Sequence, residues 1–567
     1  MMVALVLSTN MKKMIKKNIL VKKMVGIETA GSLNVLLTDK TGTLTNGKLS
    51  VYGIINYQDK LFNNDVELYK YPKYYNIVGN SIVLNNDAVI SDNKIINGNS
   101  TDKALISFMN YISDEKIIKK ESFDSDKKYS LVETNNYIYY KGAPEVLIPK
   151  CKYYLNNDVE DSNVDFDYLN RVIAKYMHKG YRVISLCYKN KSNNNVVYVG
   201  SVLLKDEIRK DAKEGIKLIK SSGVKMIMVT GDSLDTALFI SKELNLLSDD
   251  DIYLTSSDLS LMSDDEIKSK INKIKVVARA KPHDKSRLVK IIKEMNLVVG
   301  MTGDGINDAA ALKKCDVGFA MGSGTDVAKE ASDIVILDDN INSISMAILF
   351  GRTIFKNIRK FIIFQLTMNI CAMSLSIIGP FIGISTPVTV MQMLWINMIM
   401  DTLAGLAFAY EEPLLSYMDE KPKSKNEPII NKYMYEEIVF TGLYSSLLCI
   451  LFLKIPFVKS LIRYDVNDKY FLTAFFALFV FMGIFNAFNT RTNRYNLFYR
   501  IKNNKVFLII FMLVAIMQIY FIYYGGIIFR TYGLNLKELL IVLGLAFSVV
   551  PVDLFRKFIF SNNKDYI

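Results

Sequence analysis

The stretch "NVLLTDKTGTLTNGK", residues 34–48, places a single aspartate directly after an apolar run. Residues 34–38 have the length and composition of a short buried strand, and Asp39 follows it. In open α/β sheets, ligands bind outside the carboxyl ends of the strands. The pattern therefore predicts that Asp39 lies in a ligand site of a parallel sheet.

Three later stretches repeat this arrangement: "KMIMVTGDS" (225–233), "VVARAKPHDKS" (276–286) and "LVVGMTGDGINDAAAL" (297–312). Each has an apolar, strand-like run with Thr, Lys or Asp at or beyond its end. Amphipathic helical stretches such as 208–222 and 284–295 lie between these runs. Such alternation predicts a doubly wound parallel sheet.

One chemistry would use all four strand ends. A carboxylate can attack as the nucleophile in phosphoryl transfer and form an acyl phosphate. The charge of the phosphoryl group is best met by a lysine, a hydroxyl and a magnesium ion. We expect Asp39 to attack, Thr230 and Lys285 to hold phosphoryl oxygens, and Asp304 and Asp308 to hold Mg²⁺.

The order of "DKTGTLT", "TGD" and "TGDGIND" resembles that of the P-type ATPases, within the haloacid dehalogenase-like phosphotransferases. The resemblance implies a catalytic set of Asp39, Lys40, Thr41, Thr230, Gly231, Asp232 and Lys285. It also implies a Mg²⁺ site formed by Asp39, Thr41, Asp304 and Asp308. Many hydrolytic relatives have a second aspartate where this chain has Thr41. Without that acid–base group, we expect an acyl phosphate to hydrolyse slowly.

A long insert, residues 50–205, interrupts the predicted sheet where P-type ATPases carry an α+β nucleotide-binding domain. Four stretches resemble motifs of that domain: "GNSTDKAL" (98–105), "FDSDKK" (123–128), "KGAPE" (141–145) and "GYRVISLCYK" (180–189). In the first, Ser100 replaces a proline and Asp102 a glutamate. The resemblance implies ATP contacts from Asp102, Phe123, Lys141, Gly142, Arg182 and Arg279. "KDEIRKDA" (205–212) resembles the hinge that returns to the sheet, with Asp206 and Arg209 matching.

The last third of the chain predicts a membrane domain. Six segments are long and apolar enough to span: 361–384, 388–410, 436–457, 470–489, 506–524 and 539–557. The basic stretches 420–428 and 490–505 and the C-terminal tail fall on the side of the soluble block, which indicates that this side is cytoplasmic. The basic loop 454–469 lies on the other side and weakens the pattern. We therefore expect a multi-pass membrane protein in contact with lipid.

The composition fits this class of protein. Half of the residues are apolar, and the net charge of +13 is typical of Lys and Arg retained on the cytoplasmic side. No nucleic-acid-binding motif is found, so we expect no nucleic-acid partner. The five cysteines are scattered, which indicates reduced thiols rather than a disulfide framework.

Polar residues inside the predicted spans point to the transported ion. Asn397 and Asp401 lie four residues apart, hence on one helical face, and Asn369 lies in an earlier span. Together these residues resemble one ion site of the plasma-membrane class of calcium-transporting ATPases. The resemblance thus implies calcium, bound by Asn369, Asn397 and Asp401. Gln365 is a weaker candidate that we expect to serve packing.

The predicted domains follow from these assignments. Residues 1–29 form the end of a membrane helix with its stalk, and 30–49 with 206–340 form the phosphorylation domain. Residues 50–205 form the nucleotide-binding domain. A stalk over 341–360 leads to six transmembrane helices in 361–567.

Two family motifs are not found in the sequence: Pro-Glu-Gly-Leu-Pro, which completes the ion site, and Thr-Gly-Glu-Ser, which drives dephosphorylation. We therefore expect this chain to correspond to the C-terminal part of the family, without a complete transport cycle of its own. The remaining N-terminal half would then be a partner. Two alternatives stay open. One is a pump for sodium, potassium or protons; the other is a membrane-tethered ATP-binding or phosphatase protein without transport.

Overall fold

The computed structural model describes residues 2–40, 42–91, 94–124, 126–156, 158–192, 195–381, 383, 387–425, 427–463 and 468–560. The chain forms two compact units. The α/β unit comprises Val35–Lys220 and Lys225–Ile344. The membrane unit comprises Met1–Asn34, Ser221–Val224 and Ser345–Ile567.

Seven strands of the α/β unit form a parallel sheet: β1 (Val35–Thr38), β2 (Lys225–Val229), β3 (Ile252–Thr255), β4 (Ile274–Ala278), β5 (Val299–Gly303), β6 (Val317–Met321) and β7 (Ile334–Ile336). Their order is β7-β6-β5-β1-β2-β4-β3. The strands extend outward from β1 in both directions, so β1 lies at the topological switch point. The doubly wound sheet and its first strand are therefore confirmed.

The apolar composition of β1 follows from its central place. All four of its residues are buried, as expected for a strand whose two neighbours are parallel and whose two faces are covered. Val35 and Leu37 share a core with Ile227 of β2 and Met301 of β5. The helices that connect the strands are Ala212–Ser221, Leu234–Glu243, Ser256–Leu261, Asp264–Lys270, Pro282–Glu294, Ala309–Lys314 and Asp326–Ala331. Two of them overlap the predicted stretches 208–222 and 284–295.

A second, mainly antiparallel sheet is built from the insert. Its strands are Thr45–Ile55, Leu61–Phe62, Lys119–Asp124, Tyr129–Glu133, Tyr137–Gly142, Tyr153–Asn156, Val159–Ser162, Arg182–Asn190 and Val196–Ile208. Its helical elements are Asp65–Lys70, Pro72–Val83, Ser100–Phe108, Pro144–Leu147, Ile148–Lys150 and Phe166–His178, and a short hairpin joins Val89–Ser91 to Lys94–Asn97. The two long strands Thr45–Ile55 and Val196–Ile208 pair with each other and carry the chain out to this sheet and back.

Six helices of the membrane unit are long and apolar enough to cross a bilayer: α1 (Ile341–Phe381), α2 (Val390–Ala409), α3 (Lys432–Lys454), α4 (Lys469–Arg491), α5 (Lys505–Tyr524) and α6 (Leu536–Phe560). Each of them overlaps one predicted span. α1 begins about twenty residues before its span, because the predicted stalk 341–360 is continuous with it. The shorter elements are Met2–Ile15, Ile19–Val21, Met24–Gly31, Leu415–Asp419, Pro456–Ser460, Ile501–Asn503 and Gly526–Phe529.

Three of the spanning helices are joined by a buried charge cluster. Arg556 of α6 lies 3.1 Å from Glu437 of α3 and 2.8 Å from Asp553, and all three side chains are at most 2% exposed. The neighbouring Lys557 donates to the carbonyl oxygen of Asn489 in α4 at 2.8 Å. The cluster therefore connects α3, α4 and α6 through charges that no bulk water solvates.

Candidate active site

The carboxylate of Asp39 is held on both of its oxygens at the carboxyl end of β1. Oδ1 accepts a hydrogen bond from the backbone N–H of Lys40 at 2.6 Å. Oδ2 lies 2.6 Å from Nζ of Lys285, which begins the second turn of the helix Pro282–Glu294 after β4. The backbone N–H of Asp39 donates to the hydroxyl of Thr302 at the end of β5. The backbone of Lys40 and the ammonium of Lys285 thus fix the direction of this carboxylate, while Thr302 holds the Asp39 backbone.

Lys285 bridges two carboxylates, since its Nζ also lies 2.6 Å from Oδ1 of Asp308. Burial alone would lower the pKa of Lys285, but the negative charges of Asp39 and Asp308 outweigh it and raise this pKa. Burial raises the pKa of Asp39; Lys285 opposes this effect and Asp308 adds to it. Lys285, which the sequence predicts to hold phosphoryl oxygens, therefore lies directly beside Asp39.

Three carboxylates meet beside this lysine. Oxygen atoms of Asp39, Asp304 and Asp308 all lie within 4.8 Å of one another. Burial, and then the charges of Asp39 and Asp308, raise the pKa of Asp304 to about 6. Carboxylate oxygens are the ligands that Mg²⁺ prefers, and a divalent cation would relieve this crowding of negative charge. The residues present therefore fit a magnesium site.

Close packing around Asp304 explains one glycine of the first motif. Gly42 has a φ of +71°, and a Cβ built there would lie 2.7 Å from Oδ2 of Asp304. Any other residue would be strained in its backbone and would also push the carboxylate away. The preceding residue, Thr41, which the sequence predicts to be catalytic and to bind Mg²⁺, lies outside the described residues.

The Lys40 side chain turns away from Asp39 and enters a second carboxylate pair. Its Nζ lies 2.7 Å from Asp232 and 3.6 Å from Asp206. Thr45 donates to the same Asp206 carboxylate at 2.6 Å. Asp206 stands near the end of the long strand Val196–Ile208, so this network ties the returning chain to the loops after β1 and β2.

The remaining predicted catalytic residues follow β2. Thr230 is buried, and its hydroxyl donates to Oδ2 of Asp232 at 3.3 Å. The backbone N–H of Arg279 donates to the carbonyl oxygen of Asp232 at 2.8 Å, while the Arg279 side chain is exposed. Gly231 is also exposed, with only the carbonyl of Ala280 near a built Cβ. The loop after β2 is thus open toward solvent beside the Lys40 network.

Two contacts were not anticipated from the sequence. Thr302 lies near the end of β5, and adjacent parallel strands place its hydroxyl beside the backbone of Asp39, although its motif predicts no role for it. Asp206 is predicted only as part of a hinge, and the sequence does not indicate its ion pair with Lys40. Register between β1 and β5 could have indicated the first contact; the second depends on a separation of 166 residues along the chain.

The predicted nucleotide residues divide into a buried pair and exposed members. Nζ of Lys141 lies 2.6 Å from Oδ1 of Asp102, and both side chains are buried. Burial lowers the pKa of Lys141, with Asp102 opposing. At Gly142 a Cβ would lie 2.4 Å from Cβ of Tyr129, so the strand needs a glycine there. Phe123 and Arg182 are exposed, as a stacking ring and a phosphate-binding cation would be.

The predicted ion residues do not all face the same environment. Asp401 is buried, and the side chain of Gln365 lies against it. Oδ1 of Asp401 accepts no hydrogen bond from any described residue. Asn369 and Asn397 are instead exposed on their helices. The six residues before Asp401, Trp395–Met400, form a π-helical turn, a distortion often found at functional sites.

Comparison with known proteins agrees with the fold. Residues 33–316 match the sequence profile described as haloacid dehalogenase-like hydrolase. The chain belongs to this family. Residues 385–559 match the profile described as cation transporting ATPase, C-terminus. The match to both profiles in one chain, with its six apolar helices, identifies an integral multi-pass membrane protein.

Several curated proteins are similar to nearly the whole chain. The putative calcium-transporting ATPase 13, plasma membrane-type, of Arabidopsis thaliana is 31% identical over 97% of this chain and 57% of its own length. The calcium-transporting ATPase PAT1 of Dictyostelium discoideum is 31% identical over 97% and 55%, respectively. The plasma membrane calcium-transporting ATPase 4 of Homo sapiens is 32% identical over 94% and 48%. The chain thus spans about half the length of these relatives.

Proposed function

We propose that this chain carries the catalytic part and the C-terminal membrane helices of an ATP-driven calcium pump that works through an aspartyl phosphate. The observation that carries the proposal is the Asp39 carboxylate, held at the switch point of a doubly wound sheet 2.6 Å from Lys285. Asp304 and Asp308 lie close enough to complete a Mg²⁺ site. The likeness to calcium-transporting ATPases supports this reading.

In the proposed reaction, a carboxylate oxygen of Asp39 attacks the γ-phosphorus of ATP. The new O–P bond forms as the bond from that phosphorus to the β–γ bridging oxygen breaks, and ADP leaves with the electron pair. Lys285 and the Thr230 hydroxyl stabilise the negative charge on the phosphoryl oxygens. Asp39, Asp304 and Asp308 would hold Mg²⁺, which supplies further charge neutralisation to the phosphoryl group. The exposed Phe123 and Arg182 would bind the adenine and phosphates.

The long life of the phosphorylated state follows from Thr41 at the position of the acid–base aspartate. A threonine hydroxyl is a poor general base, so water attacks the acyl phosphate slowly. A slow discharge allows the membrane helices to rearrange before the phosphate is lost. The domain boundaries given above, with the nucleotide domain over 50–205, are part of this proposal.

The proposed cargo is calcium, bound at Asp401 with Asn369 and Asn397. Calcium takes six to eight oxygen ligands, so these three side chains would need further oxygens. Gln365, which lies against Asp401, is one added candidate. The names of the relatives favour calcium over sodium, potassium or protons.

The proposal is tested by incubating the purified chain with ATP labelled in its γ-phosphate. We expect an acid-stable, hydroxylamine-sensitive label that is lost in Asp39→Asn, because the amide cannot form an acyl phosphate. Asp265→Asn is the matched control, since that side chain is 94% exposed in the same unit. Absence of label in the unsubstituted chain would overturn the catalytic claim. Labelling of a full-length version that ignores calcium would overturn the cargo.

A further inference from the structure

A cavity of about 820 Å³ lies within the membrane unit, apart from every residue assigned above. Two loops line it, after α2 and after α4, together with the end of the helix Met24–Gly31 and the part of α1 that precedes the apolar segment. The volume lies within the range of about 300–1,000 Å³ that is typical of sites for small molecules. None of the proposed catalytic steps uses this cavity.

The lining of the cavity is strongly basic. Nine of its side chains are Lys or Arg, and five are Asp or Glu. Four of the acids are each engaged by one cation: Lys356 with Glu420, Arg359 with Glu427, Arg491 with Glu411, and Lys423 with Glu28. Among the described acidic residues of the lining, only Asp419, which is exposed, forms no ion pair. The uncompensated charge of the cavity is therefore positive.

Most of the buried cations are also satisfied by hydrogen bonds. Arg352 donates at 2.7 Å to the carbonyl oxygens of Tyr417, Glu420 and Ser222. Arg491 donates to the carbonyl oxygens of Leu497 and Tyr499 in addition to its ion pair. These arginines shape the wall and cannot turn toward a ligand without losing their partners.

Lys360 is different. Its side chain lines the cavity and is only 5% exposed, yet no described residue accepts a hydrogen bond from it or lies within ion-pair distance. Three further cations without an ion pair to a described residue, Lys421, Arg494 and Arg500, line the same cavity and are exposed. A buried ammonium that lacks a partner is costly, and an anion in the cavity would supply one.

We propose that this cavity is a binding site for a phosphate-bearing anion, with Lys360 as its buried anchor and Lys421 and Arg494 at its rim. Several convergent cations suit a group that carries two negative charges, as a phosphate monoester does. Lys360 directly precedes the apolar run that begins at Phe361, so the anchor lies where the span meets the aqueous phase. The phosphate could therefore belong to a lipid headgroup or to a free ion.

The test titrates the purified chain, in an uncharged detergent, with two probes in separate arms. One arm uses inorganic phosphate, and the other uses dioctanoyl phosphatidic acid with dioctanoyl phosphatidylcholine as its control. Binding to the folded state raises the unfolding midpoint. The rise grows with the logarithm of the ligand concentration divided by Kd. We expect at least one phosphate probe to raise the midpoint, less so at high salt.

Matched variants assign the effect to the cavity. Lys360→Gln should weaken the apparent affinity by about tenfold or more, because a charge-assisted hydrogen bond is lost. The double variant Lys421→Gln/Arg494→Gln should weaken it too, and its exposed positions keep the fold intact if Lys360→Gln does not fold. Lys505→Gln, an exposed lysine outside the cavity, should behave like the unsubstituted chain.

The two titration arms also distinguish a lipid headgroup from a free phosphate ion. A response to the phosphatidic acid alone assigns a lipid headgroup, and an equal response to inorganic phosphate assigns a free ion. The proposal is overturned if neither probe exceeds the choline lipid or a chloride control. It is equally overturned if Lys505→Gln loses as much affinity as the cavity variants, since the effect would then be general surface charge.

Discussion

At the scale of single residues, Lys285 connects Asp39, the proposed nucleophile, with the proposed magnesium site. Its Nζ lies 2.6 Å from both Asp39 and Asp308, so one ammonium balances two of three crowded carboxylates. In Lys285→Gln we expect the initial rate of phosphoenzyme formation to fall by about 10²–10³-fold, as for other groups that meet developing charge. Lys290→Gln, on an exposed turn of the same helix, is the control and should label normally.

The acidity of Asp304 gives a second prediction at this scale. Its pKa is raised to about 6, so its carboxyl group gains a proton as the pH falls through that value. Because Mg²⁺ binds the deprotonated form, the apparent affinity for Mg²⁺ should fall between pH 7 and pH 5. Isothermal titration with Mg²⁺ across this range measures the effect.

In Asp304→Asn the affinity should be low throughout, with this step in the pH dependence removed. Asp326→Asn, which changes a side chain that is 98% exposed, should keep the step. An affinity in the unsubstituted chain that does not change from pH 7 to pH 5 would contradict the role of Asp304 as a ligand.

At the scale of elements, the strand ends were predictable and the contacts between distant segments were not. Asp39, Thr230 and Asp304 each follow an apolar run, and parallel strands place such ends together regardless of the details of packing. The pairing of Lys40 with Asp206 arises from the return of a 13-residue strand, whose register no local pattern specifies.

The burial of individual polar side chains on a spanning helix is the second feature that the sequence did not predict. Asn397 and Asp401 lie four residues apart, which predicts a shared face in a regular α-helix. The π-helical turn Trp395–Met400 contains an extra residue per turn and changes this relation, so Asn397 is exposed while Asp401 is buried. Periodicity therefore located the span but could not give the direction of each polar side chain.

The charge cluster between α3 and α6 supplies a prediction for these elements. In Arg556→Met, Asp553 keeps its ion pair with Lys557 at 2.9 Å, but Glu437 would stay buried without a cation, which should cost about 3–5 kcal/mol of unfolding free energy. The double variant Glu437→Gln/Arg556→Met removes that carboxylate together with its cation, leaves the pair of Asp553 with Lys557 intact, and should recover most of the loss. Thermal unfolding in detergent compares the two, and a double variant less stable than the single one would contradict this account.

At the scale of the whole molecule, six spans fix which loops share a side of the membrane. The loop that contains Lys502 follows α4, and the loop that contains Lys459 precedes it, so the two must lie on opposite sides. We expect Lys502→Cys in sealed inside-out vesicles to react with an impermeant maleimide at once. Lys459→Cys should react only after the vesicles are permeabilised.

The native thiols provide the background for this experiment. All five cysteines are buried, so the unsubstituted chain should label weakly in intact vesicles. Simultaneous labelling of both introduced thiols would contradict the six-span arrangement. Labelling of Lys459→Cys alone would retain the spans but reverse the predicted cytoplasmic side.

The length of α1 has a mechanical consequence. Its 41 residues extend roughly 60 Å at 1.5 Å per residue, about twice the thickness of the hydrocarbon layer. About half of this rod must therefore stand in water, where Arg352, Lys356 and Arg359 bind it to the surrounding loops. A rod anchored in the bilayer acts as a lever: tilting it by about 5° would displace a point roughly 30 Å along it by about 2–3 Å. Small rotations among the helices would thus displace the aqueous end of α1 by a distance close to the length of a hydrogen bond.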